Sequence, residues 1–537
     1  MKSVRRTVCL ILSSAVILTA FTPVQSVSAE SLGRPVRVGL FYATSTRDSR
    51  VFSAANKSAT GFEIGISSGT GFSKLFELNV GEFVIAPSGT LHIKNSGGLL
   101  HAGAGGVHTF GGYHVQLDGS YASYHAASEA AFAVGGAFVA YTGSAFVVRV
   151  GSFLSLADAQ NACAQYPGSA AVSPSPTGLT LCDTAGHKIL FEFEGARFAV
   201  RARGGGTVTI TSSNSYPYYG FFEYSVEGKR LSLVNVVDLE QYVKGVLPNE
   251  VGFRASDEVT KAFSILIRTF ACGRKHGGVG IDVCNTSCCQ VYRGAYLENE
   301  RMSKIVDSTK GQIITYQGEL IRCFYNVSNG GASCSSAAAW GSTPIPYLNS
   351  VQLDEGEATV VWSHSFTKNE LFAYLKERPA FSSLKGGIAS VEIVEKDPLG
   401  SDYVTAFAAT DIYGNTVTVR NAASVRGSLG FDSANFAIKF SFDRKVQTAA
   451  GEKESAASVI TADGIETIRF GETHSVIDAS GSISTITADR ITFDGKGRGH
   501  GVGYSQMGAE QLVKQGYDYK YTIAFYFPGT EISKIQN

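Results

Sequence analysis

Cys272, His276, Cys284, Cys288 and Cys289 crowd one stretch of the sequence. Thiolates and imidazole at short spacing are the donors of tetrahedral zinc sites. The spacing is not a paired CxxC…CxxC, and the adjacent Cys288 and Cys289 point in different directions, so one of the two would ligate. Cys284 and Cys289, with His276 or Cys288, form the candidate metal set; a disulfide among the same cysteines is the equal alternative. A second candidate is Glu250. A residue before proline avoids the helical region, so the chain is expected to extend through Leu247-Pro248 and to carry Glu250 on an irregular connection. Catalytic groups often sit on such connections between rigid flanks, yet on local physics alone Glu250 reads as a solvated loop carboxylate. Trp340, after a run of small polar residues, is either an exposed ring suited to stacking on a sugar or a core residue. Between Gly495 and Ala509, glycines bracket Arg498 and His500 and would let the backbone approach a ligand closely. A helix starting near Ser505 could lend N–H groups to a substrate oxygen. The same glycines do not make a dinucleotide loop, because no strand–helix context with a later acidic residue accompanies them. His101, His108 and His114 lack a tight ligand spacing and read as surface or turn residues.

These residues must be positioned by a long chain. At 537 residues it exceeds one ordinary domain of roughly 100–200 residues. Hydrophobic content of 44% against 17% charged residues is globular rather than disordered. Abundant Gly and scarce Pro fit many short strands joined by turns, which predicts an α+β, mostly β, multi-domain protein with a few helices. The formal net charge is zero, so no field of one sign supports a nucleic-acid role. Lys2, Arg5 and Arg6, the apolar run Val8–Phe21 and small residues up to Ala29 read as an export signal over 1–29. The run is short of the roughly 20 residues that span a bilayer, so a membrane attachment is expected only if the signal stays uncleaved. Export to the cell wall or medium permits disulfides, with Cys163/Cys182 and Cys323/Cys334 as plausible local pairs.

Residues 30–140 read as short strands. Over 141–204 a strand at Phe146–Phe153, a helix from Leu156 to about Gln165 capped by Ser155, and a strand over 188–193 make a small αβ module. Alternation then dominates from 205 to 537. It is interrupted by a helix over about 257–274 with the apolar stripe Val259, Phe263, Leu266, Ile267 and Phe270. A polar exposed loop or insertion is read over 447–460, within an insertion around 440–490, and Phe525–Ile532 is expected to close the chain as strand and turn.

Two resemblances follow from these residues. The stretch Val147–Ala162 resembles the opening of SPOR domains, whose implied ligand is glycan stripped of stem peptides. The blocks Gly245–Glu250, Ile267–Ala271, Asp282–Cys284 with Gln290–Tyr292, Trp340-Gly341 with Pro346–Leu348, Gly497–Gln506 and Pro528–Thr530 together resemble the SpoIID/LytB family, stage II sporulation protein D-like lytic transglycosylases and amidase enhancers. That resemblance implies a SpoIID-type catalytic domain over 205–537 that cuts the MurNAc–GlcNAc β-1,4 bonds of peptidoglycan, forming 1,6-anhydroMurNAc ends, in a role that includes sporulation. It implies Glu250 as the catalytic acid/base, with pKa raised by partial burial. It also places Arg268, Gln290, Tyr292, Ser328, Trp340, Arg498, His500, Ser505 and Gln506 at substrate-binding positions. The implied partners are peptidoglycan glycan strands and, in the alternative reading of a non-catalytic enhancer, a cell-wall amidase. The chain departs from the family pattern at Phe263 and Ile265, at Cys288 and Asn326 where His is frequent, and at Asn329 where Ser is frequent.

Overall fold

The computed structural model describes residues 34–535, apart from Thr46, 94–99, 102–107, 185–187, Ala196, 277–279, Asp354, 357–358, 449–450, 456–457, 462–463, 468–472, 478–482 and 488–489. The export signal read over 1–29 lies outside the described residues. The chain is α+β and mostly strand. The described residues divide into two compact units: one holds those from Arg34 to Ala255 with Phe263–Ile313 and 533–535, the other Ser256–Ala262 and Ile314–Ile532. Residues 205–255 thus fall with the N-terminal half. No described helix is long and apolar enough to cross a membrane.

The first unit is built on two sheets. A seven-stranded sheet runs Val283–Cys284, Val36–Phe41, Arg230–Val237, Phe221–Glu227, Phe198–Ala202, Phe62–Ser68, Gly71–Leu78 in spatial order. Its first pair is parallel, with Val38 opposite Val283 and Gly39 opposite Cys284, so the cysteine loop starts as an edge strand. The second sheet has ten strands, and those of 141–204 do not stand apart in it. Phe146–Phe153 pairs with Tyr113–Gln116, and Leu179–Cys182 with Glu82–Pro87. The helix after Phe146–Phe153 is Leu156–Ala162, capped by Ser155 as its sequence predicts, with a short 3₁₀ turn to Gln165.

His114 departs from the surface reading. It lies on Tyr113–Gln116 and is 1% exposed. One ring nitrogen is 2.7 Å from the Gly151 carbonyl and the other 3.2 Å from Glu192, itself paired with Arg149 at 2.8 Å. A buried charge requires such partners, and a lone His in the sequence gave no sign that Glu192 and Arg149 would converge on it.

In the second unit the aromatic core is Phe407, Phe431, Phe436 and Phe493, with ring centroids 5.1–6.4 Å apart. Phe493 lies on Arg490–Lys496, which pairs with Val361–Thr367 on one side and Phe436–Thr448 on the other. The stretch read as a loop over 447–460 carries strands instead. Backbone strands occupy 451–455, 458–461, 464–467, 473–477 and 483–487, the last four as two hairpins. Residues 525–526 end a helix, Tyr519–Tyr526, rather than forming a strand. Asp518 caps it by accepting from Tyr521 N at 2.9 Å, and the terminal strand is Glu531–Lys534. An aromatic-rich run allows either period, and the Asp518 cap decides for the helix.

Candidate active site and cysteine cluster

Glu250 sits on the last turn of a helix, Leu239–Val251, and not on an irregular segment. The helix runs through Pro248, which removes one N–H and costs about 3 kcal/mol in a helix interior. Val243, Val246, Leu247, Pro248 and Val251 are all buried. Burying such side chains yields about 1.5–3 kcal/mol each, so packing overrides the proline. The Asn249 side-chain amide also donates to the Gly245 carbonyl at 2.9 Å. At the other end Asp238 caps the helix, accepting from Glu240 N and Gln241 N at 2.9 and 3.2 Å. Gly252, with φ 73°, ends it.

Glu250 is half-buried, and its Oε1 accepts the main-chain N–H of Val291 at 2.7 Å. That bond joins the helix to the segment leaving the cysteine loop. The two elements fit because position 245 is glycine: a Cβ there would stand 2.6 Å from the Tyr292 ring and 2.7 Å from the Gly294 carbonyl. Behind Glu250, Tyr242 donates to Gln290 Oε1 at 2.9 Å, and Tyr292 donates to Asn235 Oδ1 at 2.8 Å. The Tyr242 and Tyr292 rings lie 5.2 Å apart. Burial first, then the charges of Cys289 and Glu250, push the Tyr242 phenol well up, so it remains a donor.

Gln290 and Tyr292 therefore support Glu250 from within the protein, both being buried. Arg268 does so at longer range. It is 0% exposed and grips Glu240 through two bonds of 2.9 and 2.6 Å, with a third to the Gln312 carbonyl at 3.0 Å. This fork ties the helix Asp257–Gly273 to the first turn of the Glu250 helix. It leaves Arg268 no surface to offer a substrate.

His276, Cys284, Cys288 and Cys289 converge, their donor atoms all within 4.8 Å of one another. Cys272 is not in that group. No S–S bond joins any of the described cysteines in this structure, including the local pairs Cys163/Cys182 and Cys323/Cys334. Hydrogen bonds from Cys288 and Cys289 hold the Cys284 thiol far below its usual range, and the same bonds push both donors up. Burial lowers His276, which keeps it neutral and able to ligate. Asp282, which accepts from Arg37 N at 3.0 Å and pairs with Lys275 at 2.8 Å and with Arg34, anchors the loop's start. Asp282 stands in a recognised block, whereas nothing in the spacing marked Tyr242 or Asn235 as supports beforehand.

The second unit gathers the other motif residues by themselves. Tyr325-Asn326 pairs in parallel with Tyr504-Ser505. Glu355, 1% exposed, is their hub. It accepts from Ser328 Oγ, Ser505 Oγ, Asn329 N at 3.0 Å and Gly330 N at 3.3 Å. Ser328 and Ser505 are thus buried struts. Ser505 also caps the helix Gln506–Lys514, accepting from Gly508 N at 3.2 Å. Gln506 is half-buried on that helix's first turn. The glycine-rich loop is filled by the protein itself at Gly501 and Gly503 and is not a ligand cradle there. A Cβ on Gly501 would meet the Tyr403 ring at 2.2 Å, and one on Gly503 the Phe324 carbonyl at 2.4 Å. Trp340 is half-buried, its ring 4.7 Å from Phe324 and 5.9 Å from His500. Arg498 is exposed and pairs with Asp432 at 3.2 Å. His500 accepts from Val502 N through Nδ1 at 3.0 Å. Burial, and then the nearby Arg426, lower it to about 4.

Residues 227–316, which include Glu250 and the cysteine cluster, match the family model for the stage II sporulation protein SpoIID. Over that segment the chain is similar to the SpoIID family. It is similar to the amidase enhancer of Bacillus subtilis, 28% identical over 306 residues, which take in 54% of this chain and 40% of that relative. The match therefore spans less than half of the amidase enhancer's own length. Stage II sporulation protein D of Bacillus subtilis is 28% identical over 350 residues, 61% of this chain and 82% of that protein. Its counterpart from Bacillus amyloliquefaciens is 26% identical over 366 residues, 62% and 83% of the two chains.

Proposed function

We propose that this chain is a peptidoglycan lytic transglycosylase in which Glu250 is the single acid/base. The observation that carries the reading is the fixed carboxylate. It stands on a packed helix end, is oriented by Val291 N–H and lies within the family-matched segment. Protonated Glu250 gives its proton to the glycosidic oxygen as the bond to MurNAc C1 breaks. The carboxylate then takes the proton of the MurNAc C6 hydroxyl, whose oxygen closes on C1 and leaves a 1,6-anhydro end. Glycosidases that use water need two carboxyl groups. A tethered hydroxyl needs only one, because its effective molarity replaces the activation of water. Export by the leader read over 1–29 would bring the chain to this substrate in the cell wall.

The cysteine cluster suits zinc. Zn–S bonds of about 2.3 Å put tetrahedral donors about 3.7 Å apart, so atoms already within 4.8 Å need only a small closure. A Cys₃His set leaves no position for water and is structural. Cys284, Cys288, Cys289 and His276 would hold the ion, stiffening the loop that leads straight into Gln290-Val291-Tyr292 and so into the bond with Glu250.

The second reading is a wall-binding enhancer of an amidase, favoured by the name of one relative. The test separates the two. Stem-peptide-free glycan strands are incubated with wild type and with Glu250→Gln, and mass spectrometry follows 1,6-anhydroMurNAc ends. Such ends from wild type alone are expected. Reducing ends would mean hydrolysis. No product, together with stimulation of a purified N-acetylmuramoyl-L-alanine amidase, would replace the enzyme reading by the enhancer.

A further inference from the structure

The Glu250–Val291 hydrogen bond joins two segments, and each is followed within three to five residues by an exposed aromatic residue. Phe253 follows Glu250 by three residues, about 11 Å of chain at most, and is 53% exposed. Among the described residues no aromatic ring packs against it. Its loop is nevertheless pinned: Arg301 donates to the Phe253 carbonyl at 3.4 Å and to the Ala255 carbonyl at 2.6 Å. Downstream of Val291, Tyr296 is 54% exposed, on a turn closed by Tyr296 N donating to the Arg293 carbonyl at 3.3 Å. Its ring lies 4.5 Å from that of Tyr216, and Ala295 N donates to the Pro217 carbonyl at 2.8 Å, which holds the pair in place.

Single exposed apolar residues are ordinary on any protein. Two large rings follow the two segments joined by the bond that orients Glu250, and both stay more than half exposed on pinned backbone. An arginine follows one ring in sequence, and another lies over the tyrosine that pairs with the second. Arg254, exposed, follows Phe253, and the Arg293 guanidinium is 5.8 Å from the Tyr216 ring. A glycan strand presents apolar sugar faces, and each MurNAc freed of peptide adds a lactyl carboxylate. Aromatic faces with guanidinium neighbours complement that pattern.

We propose that Phe253 and Tyr296 are sugar-stacking subsites for the hexosamine rings on either side of the bond cut at Glu250. The proposal rests on the glycan reading above. The test uses the full chain carrying Glu250→Gln, so that strands bind without being cut. Binding to peptide-free glycan strands is measured by calorimetry for this protein and with Phe253→Ala or Tyr296→Ala added. Phe132→Ala, at a 90% exposed ring elsewhere, serves as control. Each stacking variant is expected to bind about fivefold more weakly, with the control unchanged and thermal unfolding unaltered. On the otherwise wild-type chain the same substitutions raise KM more than they lower kcat. Strands bound equally by all variants would overturn the subsites and leave the glycan reading standing. No binding by the Glu250→Gln chain would overturn both.

Discussion

The main-chain N–H of Val291 and Oε1 of Glu250, 2.7 Å apart, couple the end of a helix to the exit of the cysteine loop. Because the donor is backbone, an amide oxygen can replace the carboxylate oxygen there. Glu250→Gln is therefore expected to unfold within about 0.5 kcal/mol of wild type, as a replacement that keeps the acceptor. Glu250→Ala leaves the half-buried Val291 N–H unmatched and is expected to cost about 1–2 kcal/mol. Both lose glycan cleavage by about a hundredfold or more, the usual worth of a general acid. Urea unfolding and product analysis on the same two proteins separate the structural role of the side chain from its chemical one.

Arg268 and Glu240 form a bidentate pair with the arginine fully buried. Removing one member of a buried pair leaves the other charge uncompensated, which costs about 3–5 kcal/mol. Arg268→Ala is expected to fall in that range by urea unfolding. Arg268→Lys recovers only part of it, because an ammonium cannot reproduce the fork. The double change Arg268→Met with Glu240→Gln should be milder than Arg268→Ala alone. A loss confined to substrate affinity, with stability unchanged, would instead assign Arg268 to the ligand.

The same positions show what the sequence could and could not convey. Ser155 and Ser505 are legible because a cap acts within three or four residues, and both helices begin where those serines predict. The stripe from Val259 to Ile267 is legible because a buried helix face repeats at 3.6 residues. Pro248 misleads because its local cost is smaller than the long-range burial of the helix around it. Glu355 carries no local mark. Its partners Ser328, Asn329 and Ser505 come from two distant segments, and only the fold brings them to one carboxylate. Arg268 and Gln290 stand in recognisable blocks, yet position in a block does not distinguish a side chain that touches ligand from one that holds the residue that does.

The cysteine cluster gives a metal-removal test. Ligands bind zinc as thiolate and neutral imidazole, so binding is coupled to folding and to proton release. Protein purified with zinc and reductant is expected to contain one zinc per chain by elemental analysis. A strong chelator should lower its melting temperature by several degrees, a shift that about 1–2 kcal/mol produces in a unit of this size. Cys289→Ser should lose the metal and cleave glycan more slowly, since the loop it fixes carries Val291. Absence of zinc, with a thiol count that rises by two on reduction, would assign the cluster to a disulfide.

His500 supplies a pH test whose sign is fixed by its surroundings. Burial and Arg426 hold it at about 4, against about 6.5 when unfolded, and its Nδ1 already accepts from Val502. The folded state therefore binds the proton more weakly than the unfolded state. The stabilisation this gives is complete above about pH 6.5 and is lost as pH falls toward 4. At about 1.4 kcal/mol per unit, the loss between pH 7.5 and 5 is at most about 2 kcal/mol, and less because the ring is only half-buried. His500→Gln should lack this component, so the stability gap between wild type and variant is expected to narrow as pH falls from 7.5 to 5. A gap that widens would mean that His500 is charged in the folded protein. The proton would then sit where Val502 N–H now donates, and the glycine loop around it would have to rearrange.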